Sequence, residues 1–271
     1  MACASALWRA GKQPDGNKAV PTFSSESLVM KTLIRRALRS FDLDIVRIGS
    51  RPSVIDFLFD RKIDLVLDVG ANEGQFASSL RQHNYTGRIM SFEPIASVFE
   101  KLAISARNDP KWNIYNVALG AKAERTDIHV SVHSTFSSLR PLTEAATKHE
   151  QSAAVDHIEQ IEIRTLDDVL PNPSGNILLK IDTQGFEQEV LQGARATLPA
   201  LRGALMELPI VQFYHGNWSI QEALGFMAQA GFVPAQIHPV NYHSQDKFSV
   251  VEVDCLFRRL DPRLDGPGAP R

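Results

Sequence analysis

Two cysteines, Cys3 and Cys255, are too few to staple a fold, so stability must come from a packed core and a reducing cytoplasm is the expected compartment. Apolar runs stop at strand length, well short of the roughly 20 residues a membrane helix needs, and Met1 to Gly16 holds no sustained apolar stretch. Neither a signal peptide nor a membrane span is expected. An excess of either charge is also missing: 29 Lys and Arg against 31 Asp and Glu leave a net −2. A nucleic-acid partner normally demands a basic excess, so none is expected. No Gly-x-Ser-x-Gly elbow occurs, which removes the common serine hydrolases. His83, His129, His149, His157, His238 and His243 lack ligand spacing, and no metal site is predicted from them.

What is present is 44% hydrophobic residues, enough for one substantial core. The expected organisation is a flexible leader over 1–26, a helical segment over 27–60, one catalytic domain over 61–260 and a disordered tail over 261–271. Within the helical segment, Val29, Met30, Leu33, Ile34, Ala37, Leu38 and Phe41 share one side at helical period, while Lys31, Arg35, Arg36 and Arg39 share the other. This basic amphipathic helix over 28–41 packs on the domain or makes peripheral contact with the inner face of a membrane.

From Asp64 onward, apolar strands alternate with amphipathic helices, which predicts an α/β fold with helices on both faces of a mostly parallel sheet. Seven strands are expected at Leu65–Val69, Arg88–Phe92, Asn113–Ala118, Ile177–Ile181, Ala204–Leu208, Val233–Ile237 and Val250–Phe257. The last two are joined by the polar Asn241 to Lys247 without a helix, which predicts a hairpin and an antiparallel edge. Strand periodicity at Thr126–Val132 and Glu159–Arg164 marks an insertion long enough to cover a site.

The first strand runs into Asp68-Val-Gly70-Ala-Asn72-Glu-Gly74-Gln75 and then a helix. Glycines at such a turn let a ligand approach the backbone. A dinucleotide site wants Gly-x-Gly-x-x-Gly, but Asn72 occupies the middle glycine position. Asp68 repels a diphosphate and attracts the cationic amino group of a methionine moiety, so S-adenosyl-L-methionine is favoured over NAD, which stays the alternative cofactor. Glu93, ending the second strand in Ser-Phe-Glu-Pro, can accept both hydroxyls of a ribose. Asn116 lies near the tip of the third strand, either at an adenine edge or as a turn former.

The segments LDVGANEGQF, FEP, NVALG, SSL (137–139), TLDD (165–168), LKIDTQGFE (179–187) and VDCLFRR together resemble the FkbM methyltransferases, in the family's order, from about Asp64 to Arg259. The resemblance implies a Rossmann-like class I methyltransferase fold, S-adenosyl-L-methionine as cofactor and O-methylation of sugars, polyketides or glycolipids. By position it places Asp68, Gly70, Asn72, Gly74 and Gln75 in the methionine and ribose loop, Glu93 at the ribose, and Asn116 with Ala118 at the adenine. One departure stands out: where the family shows Lys-Ile-Asp-x-Glu-Gly-x-Glu, this chain has Gln184 in place of the first glutamate.

Methyl transfer to a hydroxyl requires alignment and a base, or a metal, beside the acceptor oxygen. Asp182 ends the fourth core strand and Glu207 lies in the fifth, so the two carboxylates converge in one pocket, or else cap helices and pair with Lys180. As a pair they are also a plausible divalent-cation holder, although no metal is predicted. Phe213, Tyr214, His215, Asn217 and Trp218 follow, with aromatic faces suited to a sugar ring and His215 as the candidate general base. His133, Ser134, Ser137 and Ser138 of the insertion are further candidates to contact the acceptor. The expected acceptor is a small-molecule or glycolipid hydroxyl; an NAD-dependent oxidoreductase and a non-catalytic nucleoside-binding module on the same fold are the alternatives.

Overall fold

Leu65 to Val69 and Ile177 to Ile181 are apolar apart from Asp68 and Lys180, and strands this apolar belong at the centre of a sheet covered on both faces. A computed structural model describes residues 52–131, 137–140, 143, 155–243 and 245–265, and places both segments there, buried throughout. The strands are β1 (Leu65–Val69), β2 (Arg88–Phe92), β3 (Trp112–Tyr115), β4 (Ala118–Leu119), β5 (Glu124–Ser131), β6 (Val155–Arg164), β7 (Ile177–Ile181), β8 (Leu201–Pro209), β9 (Phe232–His243) and β10 (Asp246–Arg259). Seven of them form one sheet in the order β3-β2-β1-β7-β8-β10-β9. Pairings among β3, β2, β1, β7 and β8 are parallel; β10 runs antiparallel to both β8 and β9. The hairpin makes that edge antiparallel as expected, with β10 tucked inside and β9 outermost.

Helices cover both faces. Val54, Phe57 and Leu58 of α1 (Val54–Asp60), Phe76, Ala77 and Leu80 of α2 (Gln75–Gln82), and Leu102 of α3 (Ala96–Ala106) pack with Val66, Leu178, Leu205 and Leu256. On the opposite face, α4 (Leu166–Val169), α5 (Glu187–Gln192) and α6 (Ile220–Gln229) bury Leu166, Val190, Leu191, Ala223 and Met227 against Leu67, Leu179, Met206 and Cys255. No helix among the described residues is long and apolar enough to cross a membrane.

Three differences from the sequence expectation have physical causes. The third strand stops at Tyr115 because Asn116 Nδ2 donates to the carbonyls of Glu93 and Pro94, both at 2.9 Å, and turns the chain away. Ala118 then joins a second sheet, β4-β6-β5, and packs with Ile95, Val98, Ile128 and Ile163. The tail expected from Asp261 begins instead with α7 (Pro262–Asp265), anchored because Arg258 grips the Asp265 carboxylate through two bonds of 2.7 and 2.6 Å. The leader, the helix over 28–41, His133, Ser134 and residues 266–271 lie outside the described residues.

Candidate active site

Strand order reverses between β1 and β7, and in open α/β sheets ligands bind in the crevice outside the strand ends at such a point. The turn after β1 fills this place, with positive φ at Gly70 (72°), Asn72 (50°) and Gly74 (87°). A Cβ on Gly70 would stand 1.9 Å from the Asp182 carbonyl oxygen, and one on Gly74 would stand 2.9 Å from the Trp112 ring. These glycines are therefore demanded by the protein's own packing, whatever a ligand also requires. The amides are spent as well: Gly70 and Ala71 N–H donate to Phe92 O, Asn72 to Glu93 Oε2, Glu73 to Asn72 Oδ1 and Gly74 to Ala71 O. A diphosphate needs such amides unpaired.

Acids surround the turn. Asp68 is wholly buried beneath it, accepting from Ser91 Oγ at 3.1 Å and lying 3.2 Å from Lys180 Nζ. The cation at Asp68 is thus Lys180, whose ammonium also donates to Gly70 O at 2.8 Å. The sequence reading assigned Lys180 no site role, yet a lysine inside Ile-Leu-Leu-Lys-Ile was the signal, since a buried ammonium must be paired. Glu93, also buried, accepts from Asn72 and Ile95 N–H, each at 3.0 Å, and burial pushes its carboxyl up to about 7. Gln75 is exposed at the start of α2, and its amide lies 3.5 Å from Asn72 Oδ1. Asn116 latches β2 to β3, and Ala118 faces the buried cluster of the second sheet.

Asp182 and Glu207 do come together. Gln184 Nε2 donates to Asp182 Oδ1 at 2.9 Å and to Glu207 Oε2 at 3.4 Å, while Gln184 Oε1 accepts from the Tyr214 hydroxyl at 2.8 Å. Lys180 Nζ lies 3.7 Å from Asp182 Oδ2. Glu207, Gln184, Tyr214, Phe213 and Glu252 line one pocket. Glu252 accepts from Asn241 Nδ2 at 2.7 Å, and its carboxyl is raised, chiefly by burial. Asp254, paired in register with Glu207, is pushed up to about 8, first by burial and then by the Asp182 charge. Glu252 and Asp254 were not singled out from sequence, although acids at alternate positions of an otherwise apolar strand are that signal.

His215 is not brought to this pocket. Its side chain is exposed, and its carbonyl accepts from Arg140 Nη1 at 3.0 Å. The insertion does reach the site: Ser138 Oγ donates to Gln184 O at 2.6 Å, whereas Ser137 Oγ binds back to Ser131 N–H at 3.0 Å. Among the described residues, no group of three or more His, Cys, Asp or Glu side chains is arranged to hold a metal ion.

Residues 68–234 match the methyltransferase FkbM domain. The chain belongs to the FkbM methyltransferase family. As an FkbM domain, it is an S-adenosylmethionine-dependent methyltransferase of Rossmann-like class I fold. It is 28% identical over 179 residues, 53% of its own length, to the AMB antimetabolite synthetase AmbE of Pseudomonas aeruginosa, and spans only 8% of that protein. Among solved structures it resembles an O-methyltransferase of neocarzinostatin biosynthesis, crystallised with S-adenosylmethionine and a naphthoic acid, at 15% identity and TM-score 0.38, over 86% of this chain and 57% of that one. Another is the magnesium protoporphyrin IX methyltransferase of Synechocystis PCC 6803, at 9% identity and TM-score 0.43, over 90% and 87% of the two chains.

Proposed function

We propose that this FkbM domain moves a methyl group from S-adenosylmethionine to a hydroxyl of a sugar or other small secondary-metabolite acceptor, with Asp182 and Glu207 serving the acceptor oxygen. The observation that carries this reading is adjacency. The Gly70 backbone is packed against the Asp182 carbonyl, so the cofactor turn and the carboxylate pair share one wall of the crevice.

The donor set around the turn fits a cationic nucleoside. Its amides are consumed internally, and Glu93 and Asp182 stand near it, an arrangement that disfavours a diphosphate and suits a sulfonium. Gly70 to Gly74 with Gln75 would hold the methionine and ribose portions, and Glu93 the ribose hydroxyls through the remaining lone pairs of its two oxygens. With Ala118 turned into the second sheet, Asn116 at the end of β3 is left as the adenine-side contact.

When bound, the cofactor supplies an electrophilic methyl group. The chain's own work is to orient the acceptor and take its proton. Asp182 Oδ1 is engaged by Gln184, so Oδ2, 3.7 Å from Lys180 Nζ, is assigned as proton acceptor. Phe213 and Tyr214 place aromatic side chains beside Glu207 and Gln184, next to where the acceptor would approach. The net charge of −2 supports a small acceptor rather than a nucleic acid. The likeness to an antimetabolite synthetase supports secondary metabolism, and a lipid-linked acceptor would suit the amphipathic segment over 28–41.

The test is incubation with labelled S-adenosylmethionine and a panel of deoxyhexose glycolipids and polyketide aglycones, with the label located by mass spectrometry. Label on a hydroxyl oxygen is expected. Asp182→Asn should lower kcat by about 100-fold to 10,000-fold while leaving cofactor affinity within a few-fold. Label on nitrogen or carbon, or full turnover by that variant, would overturn the assignment.

A further inference from the structure

We propose that Gln184 is a positioning residue, an uncharged clasp that lets Asp182 and Glu207 face each other without a proton or a metal ion between them. The inference rests on the reading of Asp182 and Glu207 as the acceptor-side carboxylates.

A primary amide has two hydrogens, and here they serve two carboxylates on neighbouring strands, Asp182 after β7 and Glu207 in β8. The amide cannot turn over, because Tyr214 donates its hydroxyl proton to Gln184 Oε1. Tyr214 is itself buried, and burial with the charges of Glu252, Glu187, Glu207 and Asp182 holds its hydroxyl in the protonated, donating form. The backbone is committed to the same end. Gln184 adopts φ 54°, a left-handed conformation costly for a side chain with a Cβ, and its carbonyl is pinned by Ser138 Oγ.

The surroundings, crowded with carboxyls, disfavour a further charge there. Glu207 and Glu252 face the clasp from β8 and β10, Asp254 stands opposite Glu207, and Glu187 of α5 lines the same pocket. Lys180 of β7 is the nearby cation, and it already serves Asp68 as well as Asp182. A glutamate at 184 would keep the Tyr214 bond, lose both amide hydrogens and place another negative charge against two carboxylates. It would have to take up a proton or recruit a cation.

The experiment follows thermal unfolding of the full chain and of Gln184→Glu from pH 5.5 to 8.0, in EDTA and in millimolar MgCl2. A carboxyl whose pKa is raised by folding contributes stability at low pH and loses it as pH rises through the folded value. The Tm deficit of Gln184→Glu is therefore expected to widen by about 3–6 °C toward pH 8.0, and MgCl2 to narrow it. The double variant Gln184→Glu/Glu207→Gln exchanges acid and amide across the same contact and should flatten the pH response again, which a merely steric role for Gln184 would not predict. A deficit independent of pH, or a double variant worse than the single at every pH, overturns the proposal. Calorimetry of the unsubstituted protein with S-adenosylmethionine separates the two readings: no binding heat would sink the methyltransferase assignment, while the clasp is read from Tm alone.

Discussion

On the proposed ribose role, buried Glu93 would tie cofactor binding to pH. Its carboxyl, raised to about 7 by burial despite two backbone N–H donors, is mostly protonated at pH 6 and mostly ionised at pH 8. Ionising it inside the fold costs stability on the order of 3 kcal/mol, lost as pH rises from about 4.5 through about 7. A ribose, by contrast, donates two hydroxyl hydrogens and is best received by the ionised form. Stability and affinity should therefore move in opposite directions. From pH 6 to pH 8, Tm should fall while calorimetric affinity for S-adenosylmethionine rises several-fold, and Glu93→Gln should flatten both trends and weaken binding throughout. An affinity that does not change with pH would remove Glu93 from the ribose. At this scale the sequence located Asp182, Glu207 and Glu93 around the turn, where the structure also puts them, and their roles there stand as proposals. It was illegible for Asn116 and Ala118, whose orientation depends on where β3 ends, a matter decided by one side-chain amide reaching two carbonyls.

Strands, rather than single residues, carry the polar interior. On β1 and β7, Leu65, Leu67 and Val69 with Ile177, Leu179 and Ile181 face one helix layer, while Asp68 and Lys180 are adjacent in register and point to the other. β1 and β7 could be placed from sequence to the residue, because five-residue runs apolar but for one charged residue each leave little choice of boundary. The edge hairpin could not: β9 and β10 extend to Phe232–His243 and Asp246–Arg259 through polar residues whose pairing is set by backbone bonds between the two strands. What periodicity concealed was the ion pair across β1 and β7, since two charged residues in separate apolar runs read as isolated exceptions until register joins them. Lys180→Met should cost about 3–5 kcal/mol in chemical denaturation, because it strands the Asp68 carboxylate in the core. Adding Asp68→Asn should recover a substantial part of that loss. Recovery by the double variant separates an uncompensated charge from a packing defect; equal instability of single and double would assign the loss to packing.

Described residues of the insertion, Ser138, Arg140 and Thr143, tie the small sheet to the main one. The small sheet β4-β6-β5 does not merely extend the core: Ser138 and Arg140 beside it, and Thr143, reach groups at the carboxyl ends of the main strands. Ser138 N–H donates to His129 O, Ser138 Oγ to Gln184 O, and Thr143 N–H to Phe213 O at 2.8 Å. Arg140 is the rivet. Its guanidinium pairs with Glu189 of α5, donates to His215 O at 3.0 Å and lies 5.9 Å from the Phe186 ring centroid, with about a fifth of its side chain exposed. The sequence showed that an insertion existed and that it was long enough to cover a site, but a single arginine in a polar loop gives no sign of its partners. Arg140→Ala leaves the β1 turn and Glu93 untouched while releasing the insertion and the aromatic loop from each other. Loss of a mostly buried charged hydrogen-bond pair is worth about 1–3 kcal/mol, so amide exchange at Ser138 and Thr143 should quicken roughly tenfold to a hundredfold without a comparable change at Val66 or Leu179. In turnover, the acceptor KM should rise while cofactor affinity holds, because only the acceptor side is bounded by the Phe213 to His215 loop. A variant that lost cofactor affinity instead would mean that the insertion supports the β1 turn, and the division of the crevice into a cofactor wall and an acceptor wall would have to be redrawn.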